Sequence, residues 1–192
     1  MSGWTTNGVP LLGSATGAET TSFDTNLANG ANAQTAAISL QQLALDVSLY
    51  NTKLDKTMVA GTRYYTSYTI GVPQVFTGGI VEVGTTGGTD LWNIELHSPT
   101  GATLATTLLT GTTAGTASTW QQIAFTATYT LTVPGTYWVV LQSNGTTAKF
   151  ASLNSPISSL LTGSATGTLG TAASITPPTT YTANLGPKIV LY

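Results

Sequence analysis

Between Ile123 and Val133 the chain alternates without a break: Ile123, Phe125, Ala127, Tyr129, Leu131 and Val133 are separated by Ala124, Thr126, Thr128, Thr130 and Thr132. A period of two puts the first set on one face of a strand and the threonines on the other. Pro134-Gly135 ends the run. Tyr137-Trp138-Val139-Val140-Leu141 follows and is apolar at every position, as in a central strand covered on both faces. Trp92, Ile94 and Leu96 alternate with Asn93, Glu95 and His97, and Ser98-Pro99-Thr100-Gly101 turns that strand into Ala102 to Leu109. Ser143-Asn144-Gly145-Thr146 carries the Asn-Gly of a tight hairpin. Tyr64 to Ile70, Ile80 to Val83 and Lys188 to Tyr192 bring the total to about eight short strands. The chain is therefore expected to be mainly β, an antiparallel jelly-roll-like β-sandwich.

Ahead of the strands stand two other textures. Residues 1 to about 34 are punctuated by Gly3, Gly8, Pro10, Gly13, Gly17 and Gly30 and read as an extended arm. Its Leu11, Leu12, Phe23 and Leu27 suit contact with a neighbour or with the body of the protein. From Gln34 to about Thr57, Ala36, Leu40, Leu43, Val47, Tyr50 and Leu54 recur at alternating steps of four and three, a heptad stripe that predicts one amphipathic helix. So short a helix needs a partner for its stripe. That partner is either its own domain or copies from other subunits. The expected division is 1–57, arm plus helix for attachment and oligomerisation, and 58–192, the sandwich. Within the sandwich, 152–186 is rich in Ser, Thr, Gly and Pro and is expected to be mostly loop. Gly-Ser-Ala-Thr-Gly occurs at 13–17 and again at 163–167, which in so Thr- and Gly-rich a chain does not establish a repeat.

Charge is scarce. Only 6% of the 192 residues are Asp, Glu, Lys or Arg, with a formal net charge of -2, one histidine and no cysteine. Hydroxyls and amides must make the polar surface, and five basic residues cannot neutralise a nucleic-acid backbone. The N-terminus lacks a signal-peptide pattern, and no apolar run approaches a membrane span. The expectation is accordingly no nucleic acid and no membrane. Without cysteine there are no disulfides, thiol nucleophiles or Cys-ligated zinc.

Little remains with which to build a catalytic site. His97 is the only imidazole, so no His-His metal pair exists, and Glu95 beside it falls on the outward polar face, where both are expected to be solvated. The seven acids form no calcium-binding loop. Two carboxylates brought together by folding stay open as a route to glycoside hydrolysis. Gly84-Thr85-Thr86-Gly87-Gly88 lacks the lysine and helix of a phosphate cradle and reads as a turn. No cofactor or metal is expected. Trp92 and Trp138 sit in inward or doubly covered patterns, leaving Trp120 and Tyr181 as the freer candidates for stacking on a sugar.

Several stretches resemble a family of small tailed-phage virion surface proteins. They are Val83-Gly84-Thr85-Thr86-Gly87-Gly88-Thr89-Asp90-Leu91-Trp92, Trp120 to Tyr129, and Pro134-Gly135-Thr136-Tyr137-Trp138-Val139 through Asn144 to Ala148. In the N-terminal part they are Thr16-Gly17-Ala18-Glu19, Asp24-Thr25, Gly30 and Ser39-Leu40-Gln41-Gln42-Leu43. The resemblance implies a non-enzymatic structural component, a head decoration protein, head fibre or tail-attached protein. It would be assembled in the host cytoplasm and located on the virion, often as a trimer. Its partners would be copies of itself and other virion proteins of capsid or tail. On this reading Leu40, Leu43, Val47, Tyr50 and Leu54 make the oligomer or attachment contact. The alternative is a carbohydrate-binding module for attachment to a host-surface glycan, with Trp120 and Tyr181 as its contacts.

Overall fold

The computed structural model describes residues 5–6, 9–10, 53–153 and 160–192. The chain divides into two compact units, Met1–Ser48 and Leu49–Tyr192. In the first, β1 (Thr5–Thr6) pairs antiparallel with β2 (Val9–Pro10). The rest of the expected arm and the stripe residues Leu40, Leu43, Val47 and Tyr50 lie outside the described residues.

The last turn of the expected helix needs correction. Lys53–Thr57 is a strand, β3, laddered antiparallel to β11 (Lys149–Leu153), with Leu54 opposite Ser152. Lys53-Leu54-Asp55-Lys56-Thr57 continues the heptad spacing, yet the β11 backbone supplies hydrogen-bond partners that a helix end would lack, and the Ser152 hydroxyl donates to the Leu54 carbonyl at 2.9 Å. Tertiary pairing outweighs a weak local preference. Leu54 is 42% exposed on this strand.

The second unit is mainly β. β4 (Thr62–Ile70), β6 (Leu91–His97), β7 (Thr103–Thr106), β10 (Gly135–Ser143) and β12 (Thr162–Thr166) form an antiparallel sheet in the order β12-β4-β10-β6-β7, and β8 (Thr112–Thr113) also pairs with β6. β5 (Gln74–Glu82), β9 (Trp120–Leu131) and β13 (Ile189–Leu191) form a second, in the order β13-β5-β9. Isolated bridges join Thr107 to Phe125, Val83 to Phe150 and Ser152 to Pro187.

One apolar core takes alternate residues from both sheets. Trp92, Ile94 and Leu96 of β6 and Tyr137, Val139 and Leu141 of β10 meet Phe76 and Val81 of β5, Ile123 and Phe125 of β9, and Ile189 and Leu191 of β13. Close packing of this kind, driven by removal of apolar area from water, holds the unit together. β10 runs between β4 and β6. Its other face carries Trp138, Val140 and Gln142, and these are buried too.

What covers that second face is the segment after β12. Residues 167–186 carry no strand or helix. Ile175 is buried against Tyr65, Trp138 and Val140. Its N–H donates to the Gly101 carbonyl at 2.9 Å, and the Gly167 N–H donates to Gly61. Gly101 closes the Ser98 turn at φ +90, and a Cβ there would overlap the Ile175 carbonyl, so glycine is required on two counts. The expected loop at 152–186 thus contains β12 and then a strap laid over the larger sheet.

Candidate functional site

Under this strap lies a cluster of buried polar and charged side chains. Strand alternation puts Arg63 and Tyr65 of β4, Asn93, Glu95 and His97 of β6, and Trp138 and Gln142 of β10 on one face, with Arg63, Gln142 and Asn93 in one cross-strand row. His97 Nε2 is 2.7 Å from Glu95 Oε2, and His97 Nδ1 donates to the Gly101 carbonyl at 2.9 Å. The Gln142 amide donates to Glu95 Oε1, and the Arg63 guanidinium lies 3.8 Å from that oxygen. Arg63 also donates to the backbone carbonyls of Thr171 and Ala173 in the strap.

This corrects the expectation that Glu95 and His97 are solvated. Both side chains are 0% exposed. Alternation placed them on the outer face of the sheet, and the strap then closed over them. An ionisable group buried without partners is costly, and here each has them. Arg63 Nε, Asn93 Oδ1 and Gln142 Oε1 are the buried atoms of this row that make no hydrogen bond.

Glu82, Asp90 and Lys188 are also withdrawn from solvent. Asp90 Oδ2 accepts the Thr147 and Ala148 N–H groups at 2.8 and 2.7 Å, and the Asn144 carbonyl oxygen Oδ1 accepts from Leu91 N–H at 2.8 Å. Asn144-Gly145 is therefore tied to the start of β6 and does not close the tight hairpin its dipeptide predicts, because β10 pairs with β4 and β6 while β11 pairs with β3. Lys188 pairs with Glu82, and both are buried. From Met58 to Tyr192 the chain has six charged residues, Arg63, Glu82, Asp90, Glu95, Lys149 and Lys188, and all but Lys149 are buried. Lys149 reaches toward Asp55 of β3 at 3.9 Å. Apart from that corner, the exposed surface of this stretch is uncharged.

Trp120 opens β9 and is 49% exposed, with the Lys188 ammonium 5.3 Å from its ring centroid. Tyr181 is half-buried, donates its hydroxyl to the Leu153 carbonyl at 3.1 Å, and has its pKa raised by burial. Burial likewise raises the pKa of Tyr65. Trp92 and Trp138 are buried. Among the described residues no group of three His, Cys, Asp or Glu side chains could hold a metal ion, and no helix is long and apolar enough to cross a membrane. The sequence could not reveal the Arg63–Glu95–Gln142 cluster, because three unrelated segments meet only through pairing. The one available signal was that all three fall on the same alternation face as His97.

No family model, curated protein or solved structure matches the chain.

Proposed function

We propose that the chain is a non-enzymatic structural protein of a phage virion, attached to capsid or tail through its N-terminal arm and helix and displaying a β-sandwich of jelly-roll type. The observation that carries this reading is the uncharged exterior of residues 58–192, where every charged side chain but Lys149 is buried. Copies displayed side by side on a particle then meet without like-charge repulsion, and hydroxyl and amide contacts persist as salt changes. Supporting the jelly roll, the bridge from Thr107 to Phe125 is nested within the pairing of β5 with β9, and that within the pairing of β4 with β10, while β10 with β6 is the crossing pair that joins neighbours within one sheet. That is the pattern left when one long hairpin is wrapped into two sheets.

Light scattering on the full chain tests the assembly half of the proposal. The expected mass is that of three chains, falling to one in a Leu43→Asp, Val47→Asp double variant whose β-sheet circular dichroism is unchanged. A monomeric wild type that binds neither capsid nor tail overturns it. The half-exposed face of Trp120 favours the second reading, a glycan-binding module. Loss of glycan-array signal in Trp120→Ala would support that reading, and silence of the wild type would remove it.

A further inference from the structure

The hydrogen bonds around His97 fix how many protons it and Glu95 hold between them. The Gly101 carbonyl can only accept, so His97 Nδ1 must carry hydrogen. His97 Nε2 and Glu95 Oε2 stand 2.7 Å apart, and a hydrogen bond at that distance needs one further hydrogen, supplied by the ring or by the carboxyl group. Remove it and two lone pairs face each other. Add another and a hydrogen on the carboxyl group faces either the ring N–H at Oε2 or the Gln142 amide at Oε1, while the Arg63 guanidinium 3.8 Å from Oε1 loses its counter-charge. Both changes break a contact from which water is excluded.

Both arms of that contact end on the strap. The Gly101 oxygen that accepts from His97 also accepts from Ile175 N–H at 2.9 Å, and Arg63, beside Glu95, donates to Thr171 and Ala173. The strap has no ladder of its own over residues 167–178, and Ile175 is its one buried side chain there. We infer that residues 167–178 are a proton-set latch, closed while Glu95 and His97 share one hydrogen between them and released when pH removes that hydrogen or adds another. Facing the pair are Arg63 from β4 and the uncharged Gln142 from β10, with backbone carbonyls alone from the strap and the Ser98 turn. The other titratable side chain on that face of β4, β6 and β10 is Tyr65. Release uncovers Tyr65, Trp138 and Val140 together with the polar row, a face that the closed strap masks. The latch does not depend on the virion reading.

Hydrogen exchange on the full chain tests it, read as protection after correction for the intrinsic pH dependence of exchange. The Ile175 amide is expected to show a bell-shaped profile over the pH range in which the core amides stay protected, with the opening equilibrium changing about tenfold per pH unit on each limb, the slope of a one-proton linkage. Core amides of β10 should not follow it. Because His97 is the only histidine, its ring nitrogens give one readable set of NMR signals on the unmodified protein, and these should change over the same pH intervals as the strap opens. In Glu95→Gln the amide can donate to a neutral ring, so the alkaline limb should disappear while the acid limb stays, on a lower plateau of protection because Arg63 lacks its counter-charge at every pH. Flat Ile175 protection across the range, an Nδ1 without hydrogen in the closed state, or strap opening with no change at the ring would each overturn the latch.

Discussion

At Asp90 a single carboxylate organises a turn that the Asn-Gly dipeptide alone leaves loose. It takes the Thr147 and Ala148 N–H groups on one oxygen, and a Cβ on Gly145 would overlap its carboxyl. Asp90→Ala should therefore cost about 1.5–3 kcal/mol in denaturant unfolding, the range for hydrogen bonds to a charged acceptor. Glu95→Ala leaves Arg63 buried without its counter-charge and should cost about 3–5 kcal/mol in the same measurement. The tyrosines make a separate prediction at alkaline pH. Burial raises the pKa of Tyr64 and Tyr65 above the ordinary 10.0, opposed at Tyr64 by the Thr62 side chain. The folded state then holds these protons more tightly than the unfolded state. Their stabilising contribution is complete below the ordinary value and is lost as pH rises through the raised one. Thermal melts across that interval should show a shallower loss of stability in Tyr65→Phe than in the wild type.

Among the elements, the strands with a clean period were readable and the covering segment was not. Trp92, Ile94 and Leu96 face the core and Asn93, Glu95 and His97 do not, as their alternation says. Alternation assigns faces but cannot say what lies over them. The strap has no periodicity, and only the buried Ile175 and the Arg63 donors show where it rests. β3 departs from the expected helix for a related reason: its five residues fit the preceding helical spacing, and the partner that decides the matter, β11, lies about 90 residues further along. Ile175→Ala removes the strap's one buried side chain, and limited proteolysis should then cut within 167–178 at least about tenfold faster while the core sheets stay intact. Unchanged cleavage would mean that the Arg63 and Gly101 hydrogen bonds hold the strap unaided.

For the whole molecule, scarcity of charge in the sequence becomes near-absence of charge at the surface of residues 58–192. Within that stretch the ionisable side chains other than Lys149 are spent inside, on Arg63–Glu95–His97, Lys188–Glu82 and the Asp90 turn, and the self-association stripe proposed ahead of it is itself apolar. A surface of threonines and amides has little for salt to screen. Raising ionic strength from about 0.1 M to about 1 M, which shortens the screening length from about 10 Å to about 3 Å, should leave the self-association of the full chain unchanged within twofold by light scattering. The central claim concerns where this surface is displayed, and the most direct measurement is immunogold labelling of purified phage particles with antibodies raised against the full chain. The account predicts gold on the outside of intact particles, in copy numbers divisible by three when the same particles are quantified by mass spectrometry. Particles that carry no copies of the chain would contradict it.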